Sequence, residues 1–203
     1  MRSDFAVEDP AVNPYKLLTA VVVPRPIAWV STVSTAGVVN LAPHSFYTVA
    51  CARPPIVQFS SVGRKDTLRN VLDTGEFVIN LSPARLLNQV NDTAARFPAD
   101  RSEVAALGIE TEPSSVVAPP RVTGSPVAIE CTLHSTNELG DSTVVLGDVK
   151  VISISTDVLV DGHPEFGLLD PLARLGKEEW ALHADVVSVP RPQRPEDTHL
   201  RTD

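Results

Sequence analysis

The sequence is poor in cysteine, in cationic side chains and in long apolar runs, and each shortage removes a class of protein. Cys51 and Cys131 are the only cysteines, 80 positions apart and each inside an apolar segment. That spacing excludes a zinc knuckle and a CxxC redox pair, and predicts two buried free thiols. Only 17 Lys and Arg stand against 25 Asp and Glu, a formal charge of −8. Such a balance lacks the dense cationic field that sequence-independent nucleic-acid binding requires, though a local cluster of cations can still hold one small phosphate. No apolar run approaches the roughly 18 residues of a bilayer span. The most apolar early segment, Leu17 to Val23, lies behind an acidic, proline-containing start and is followed by Pro24-Arg25-Pro26, so it does not read as a secretory signal. The expectation is a cytoplasmic protein with no membrane and no nucleic-acid partner.

Catalytic signatures are scarce too. There is no GxSxG elbow, no HExxH, no GxGxxG, no Walker pattern, and no cluster of His, Cys and carboxylates that predicts a metal. If the protein is an enzyme, a bound organic cofactor performs the difficult step while the chain binds and orients it.

What is present reads as one globular unit. With 203 residues and 43% hydrophobic content, one elaborated domain over residues 1–189 is expected, followed by an extended arm over 190–203. Asn13-Pro14 predicts a capped helix to Thr19 or Ala20. Strands are predicted at Ile27 to Ser34, Val38 to Ala42, Ser45 to Ala52 and Ile56 to Ser61, too closely spaced for helical crossovers. A helix from Thr67 to Asp73 follows, stopped by Gly75, and then a strand from Glu76 to Leu81. Ser82-Pro83 predicts a helix to Val90, and Ser102 to Leu107 another short one; residues 91–123 are otherwise a loop-rich excursion. Pro126 to Ser155 reads as one long hairpin turning at Leu139-Gly140-Asp141, and Ala181 to Val189 as a final strand. The fold class is therefore mainly β, an antiparallel Greek-key barrel or sandwich with a few inserted short helices.

Three stretches carry candidate chemistry. In "FSSVGRKDTLRNVLDTGEFVINL", Ser60 and Ser61 end a strand, and Arg64, Lys65, Asp66 and Thr67 stand at a helix start. Hydroxyls, cations and free helix N–H groups suit a phosphate, but Asp66 or Thr67 capping a surface helix accounts equally for these residues. In "NLAPHSF", His44 stands in a proline-kinked loop as a proton donor or ring contact, although a single loop histidine is more often just a hydrogen-bonded surface residue. In "HSTNELGDST", His134 offers a second candidate, although hairpin turns gather such residues anyway.

The ordered set PRPIAWVST, NLAPHS, a PP before a strand, KDT and GEFVINL resembles the flavin reductase-like family of FMN-binding split-barrel proteins. The likeness is dense from Leu17 to Leu81 and continues through "LGDSTVVLGDVKVI" and "PLARLGKEEWA". It implies a homodimer of split barrels that binds FMN and uses NADH or NADPH to reduce flavin, with a partner monooxygenase as a possible recipient. It further implies that Ser31, Thr32, Asn40, Leu41, Ala42, Pro43, His44 and Ser45 line the isoalloxazine and ribityl region. Ser60, Ser61, Lys65, Asp66 and Thr67 then surround the phosphate, while Arg174, Gly176 and Trp180 lie beside the flavin of one subunit or its mate. His44 and His134 remain the catalytic candidates. One departure stands out: some reductases of the family carry Gly-Asp-His where this chain has Gly140-Asp141-Ser142. That change leaves a second reading, a flavoredoxin-like FMN electron-transfer protein that does not use nicotinamide.

Overall fold

The computed structural model describes residues 1–194. Seven strands form its main sheet: β1 (Ala28–Val33), β2 (Val39–His44), β3 (Tyr47–Ala52), β4 (Pro55–Val62), β5 (Glu76–Leu81), β6 (Val127–Leu139) and β7 (Ser142–Ile154). All neighbours are antiparallel, in the spatial order β2-β1-β5-β6-β7-β4-β3. The edge strands β2 and β3 are consecutive in sequence and joined only by Ser45 and Phe46. A flat seven-stranded sheet would hold its edges roughly 29 Å apart, whereas this link spans at most about 11 Å. The sheet must therefore roll up, and the result is a mainly β, antiparallel Greek-key split barrel.

Alternation fills the barrel. Ala28 and Val30 of β1, Val57 and Phe59 of β4, Phe77 and Ile79 of β5, Cys131 of β6 and Val145 of β7 make one buried cluster. Phe59 and Phe77 meet edge to face at 5.5 Å. A register shift between Leu146 and Gly147 opens β7 so that the Phe77 ring lies where a side chain at 147 would stand. Cys51 and Cys131 are free; Cys131 is buried, and burial pushes its thiol up to about 12, while Cys51 is only half-buried. The opposite face of β1 carries Trp29, which packs with Ile27, Leu41, Val90, Val122 and Leu172.

Helices close the outside: α1 (Pro14–Val21), α2 (Asp66–Thr74), α3 (Leu87–Asp92), α4 (Glu103–Ala106) and α5 (Phe166–Leu169). The Asn13 side chain caps α1 by accepting from the Lys16 amide at 3.0 Å. Gly75 ends α2 at φ 74°, a left-handed conformation that favours glycine.

Three sequence expectations are corrected. Neither Asp66 nor Thr67 caps α2: the N-cap is Lys65, with no side-chain bond to the helix, Asp66 pairs with Arg69, and the Thr67 hydroxyl is engaged by Asn40. Ser82 does not cap a helix to Val90. The Ala84 amide instead donates to the Asp170 carbonyl at 2.8 Å, a 3-10 turn (Ala84–Leu86) follows, and the helix proper is α3. From Ala181 to Val189 only Ala181 is in a strand, paired through Trp180–Ala181 with Ala173–Arg174. No further edge takes up the rest, and Val186, Val187 and Val189 remain exposed. In the expected arm, residues 190–194 have no regular structure and 195–203 lie outside the described residues. Among the described residues, no helix is long and apolar enough to cross a membrane.

Candidate functional site

A cleft of about 500 Å³ runs along the seam where β2 approaches β4 and α2 begins. One wall is Asn40, Ala42, Pro43, His44 and Ser45, with Phe46 beyond them; Ser60, Lys65, Asp66 and Thr67 form the adjoining corner. The far wall is supplied by Thr93 to Phe97, Glu103 and Tyr15.

The corner is a set of donors without acceptors. After Ser60 and Ser61 the chain turns at Gly63, whose φ is 72°, and the Gly63 amide donates to the Asp141 carbonyl at 2.8 Å. The Lys65 amide folds back to the Gly63 carbonyl at 3.1 Å, and the Lys65 carbonyl takes the first helical bond from Arg69 at 3.0 Å. Among the described residues, the amides of Asp66, Thr67 and Leu68 therefore find no acceptor. They project from the positive end of a nine-residue helix beside the Ser60 hydroxyl and the Lys65 ammonium. Among the described residues, the Lys65 side chain makes no ion pair of its own. This donor set fits a phosphate monoester.

Two side-chain bonds fix this helix start against the sheet. Asn40 Nδ2 donates to Thr67 Oγ1 at 3.0 Å, and Asn70 Nδ2 donates to Thr32 Oγ1 at 3.0 Å. Leu68 and Val71 complete the anchorage by burying in the barrel core.

His44 lies at the middle of the cleft, its ring 4.8 Å from that of Phe59. Burial pushes its pKa down to about 4, opposed by the hydrogen bond to Ser60 and reinforced by Lys65. At neutral pH the imidazole is uncharged, with Nδ1–H donating to the Ser60 carbonyl at 3.3 Å. Nε2 is then a buried acceptor with no partner among the described residues.

Glu103 closes the floor. Only 5% exposed, it accepts from the Leu41 amide at 3.1 Å through Oε2. That amide points off the sheet edge and needs an acceptor, which the carboxylate supplies. Burial pushes the Glu103 carboxyl up, hydrogen bonds from its own amide and from Leu41 oppose this, and Asp66 adds to the rise.

Not every residue expected from the sequence reaches the cleft. Ser31 and Thr32 are fully buried in the central strand: the Ser31 hydroxyl donates to the Pro120 carbonyl and accepts from Asn80 at 3.3 Å, while Thr32 receives Asn70. Leu41 faces the Trp29 cluster, and Ser61, on the opposite face from Ser60, donates to the Gly63 carbonyl at 3.1 Å. His134 stands half-exposed on β6, 3.0 Å from Asp148, and does not line the cleft. Arg174 and Trp180 belong to a separate short sheet of Arg25–Pro26, Ala173–Arg174 and Trp180–Ala181, with Gly176 in the turn between its last two strands. There the Arg174 guanidinium covers the Trp180 ring at 4.6 Å, and Gly176 touches α1 so closely that a Cβ would lie 3.1 Å from Ala20 Cα.

Conversely, sequence reasoning missed the far wall. Thr93, 1% exposed, accepts from Trp29 Nε1 at 2.9 Å and so fixes the loop that carries Arg96 and Phe97. A tryptophan in a buried strand demands such a partner, but nothing in the sequence says which hydroxyl supplies it. Glu103 could have been flagged only as the first residue after the Ser102 cap.

The flavin reductase like domain matches residues 20–169. The uncharacterized protein BH2278 of Halalkalibacterium halodurans is 36% identical over 190 residues, 88% of this chain and 90% of the relative. HsaB, the reductase subunit of a flavin-dependent monooxygenase from Mycobacterium tuberculosis, is 30% identical over 127 residues, 63% of this chain and 64% of HsaB. Among solved structures, nitrilotriacetate monooxygenase component B from Bacillus cereus superposes with a TM-score of 0.85 at 28% identity, over 93% of this chain and all (100%) of that one.

Proposed function

The chain belongs to the flavin reductase-like family, and on that premise we propose that it is an FMN-binding oxidoreductase of the cytoplasm. It takes hydride from NADH or NADPH, works as a homodimer with residues 1–189 as one unit, and supplies reduced flavin to a partner monooxygenase. The observation that carries the reading is the row of unpaired Asp66, Thr67 and Leu68 amides, with Ser60 and Lys65, at one end of the cleft lined by Asn40 and by Ala42 to Ser45. HsaB and component B, by name parts of monooxygenases, support the choice of recipient.

Bound FMN would supply a two-electron carrier. The chain's own contribution is positional: α2 and Lys65 take the phosphate, and Asn40, Ala42 and Ser45 present short side chains to the ring and ribityl region. Neutral His44 commits its one N–H to Ser60, so it serves as a fixed apolar-backed wall, and hydride transfer itself asks no proton of it.

The test is the absorption spectrum of the purified protein, followed by anaerobic mixing with NADH and with NADPH. A flavin spectrum that bleaches with either nucleotide is expected. Flavin binding without bleaching by either would sink the reductase reading and favour the flavoredoxin-like alternative, which Ser142 at the β6–β7 turn supports: its hydroxyl merely donates to Asp141 at 2.8 Å. Failure to bind FMN would remove both.

A further inference from the structure

Helix α2 starts without a side-chain cap. Its N-cap residue, Lys65, makes no side-chain bond to the helix, and the one acidic side chain of the first turn, Asp66, is taken by Arg69. Such a start frays readily, because the first amides of a helix have no partner within it. An ordinary cap would cure the fraying but block the corner. A Ser, Thr or Asp in place of Lys65 would accept from the Thr67 or Leu68 amide, and these are two of the three amides that stand open to the cleft.

Strand β2 supplies another hold. Asn40 Nδ2 donates to Thr67 Oγ1 at 3.0 Å, with both residues buried. Among the described residues, this is the one side-chain hydrogen bond that reaches the first turn of α2 from outside the helix. It lands on the hydroxyl, so the amides of Asp66, Thr67 and Leu68 stay open. A similar bond further along, from Asn70 Nδ2 to Thr32 Oγ1 at 3.0 Å, runs from helix to strand instead, and neither of its residues lines the cleft.

We propose that Asn40 is a positioning residue that stands in for the missing cap: through Thr67 it keeps the first turn of α2 formed with its amides open, and so sets the preference of the cleft for FMN over riboflavin. Asn40 acts on the phosphate only through the helix. The ligand preference rests on the flavin reading, whereas the hold on the helix does not.

Asn40→Leu keeps the volume of the side chain and removes the donor, and two measurements read it. Quenching of flavin fluorescence by the full chain gives the preference, and amide hydrogen exchange without ligand gives the hold. The ratio of FMN to riboflavin affinity should fall about threefold to tenfold, the net worth of one neutral hydrogen bond, with riboflavin affinity unchanged. Thr67→Val should lose as much, and the double variant no more than either. The Arg69 amide, which closes the first turn on the Lys65 carbonyl at 3.0 Å, should exchange faster in Asn40→Leu. Gly147→Ala, weakened in the barrel core, controls for stability and should leave the ratio alone. If Asn40→Leu does not fold, Thr67→Val breaks the same bond and its two readouts decide. Equal losses for FMN and riboflavin, additive losses in the double variant, or an unchanged ratio would each overturn the proposal while FMN binding by the native protein kept the flavin reading standing. A native protein that bound no FMN would sink that reading instead. The Arg69 exchange rate would then decide on Asn40: faster exchange in the variant upholds its hold on the helix, and an unchanged rate overturns it.

Discussion

Lys65→Ala separates a phosphate-binding helix start from an ordinary one. Lys65 lines the cleft corner beside three amides that lack acceptors, and among the described residues it makes no ion pair. Its one evident use is toward an external anion. A charge-assisted hydrogen bond to phosphate is worth about 1–3 kcal/mol once the exposure of this side chain is allowed for. FMN affinity should therefore fall about 5- to 150-fold. Riboflavin has the same ring and ribityl chain but no phosphate, and its affinity should not change. Folding should be spared, because the N-cap role of Lys65 is played by its backbone and the helix gains nothing from the side chain. The assay is quenching of flavin fluorescence, titrated with both ligands on both proteins, alongside thermal unfolding. Equal losses for FMN and riboflavin would show that Lys65 acts on the ring or on folding, and unchanged FMN affinity would refute the phosphate assignment.

Three further outcomes follow from the geometry. Gly147→Ala would place a Cβ 2.2 Å from Phe77 Cζ, and Phe77 is fully buried, so overpacking of about 1–3 kcal/mol should lower the unfolding midpoint by several degrees; an unchanged midpoint would refute the packing. Glu103 has a folded pKa raised above its ordinary 4.5, so the folded state holds the proton more tightly and stability from this group is full at low pH and is lost as pH rises through the raised value. Unfolding midpoints of the native protein and Glu103→Gln, measured from pH 4 to about 8, should diverge in that sense, and parallel curves would sink it. His44 runs the other way: stability present above its ordinary 6.5 is lost as pH falls toward about 4, and its imidazole carbon resonances should still report the neutral ring at about pH 5.5.

The strands were legible because their signals are local. Glu76–Leu81 is bounded by Gly75 and Ser82, and the β6–β7 hairpin by Gly140 and by alternation along both arms. What failed depends on partners distant in sequence. Ser82-Pro83 carries the residues of a helix start, but the Asp170 carbonyl takes the Ala84 amide and pulls the segment into a bridge between Pro83 and Pro171. Ser31 and Thr32 belong to the motif that resembles a family, yet a central strand flanked by β2 and β5 buries their hydroxyls against Asn80 and Asn70. A motif marks which residues travel together. It does not say which of them face the ligand and which hold the others in place.

The excursion over 91–123 shows how one segment meets two demands at once. Strand β2 is a sheet edge, and an edge amide such as that of Leu41, buried under the far wall, must be given an acceptor or left unpaired at a cost of about 1–3 kcal/mol. Glu103 meets that need, and in doing so brings α4 against β2. The same descent of chain is fixed earlier by Thr93 on Trp29, so the loop between the two anchors has little choice but to stand over β2. That loop carries Arg96 and Phe97 into the cleft. Covering the edge and building the second wall are thus one structural event, and a chain that lost either anchor would lose the wall together with the edge protection. Residues between the anchors are free of both duties, which makes them the part of the site where ligand preference can change without disturbing the barrel.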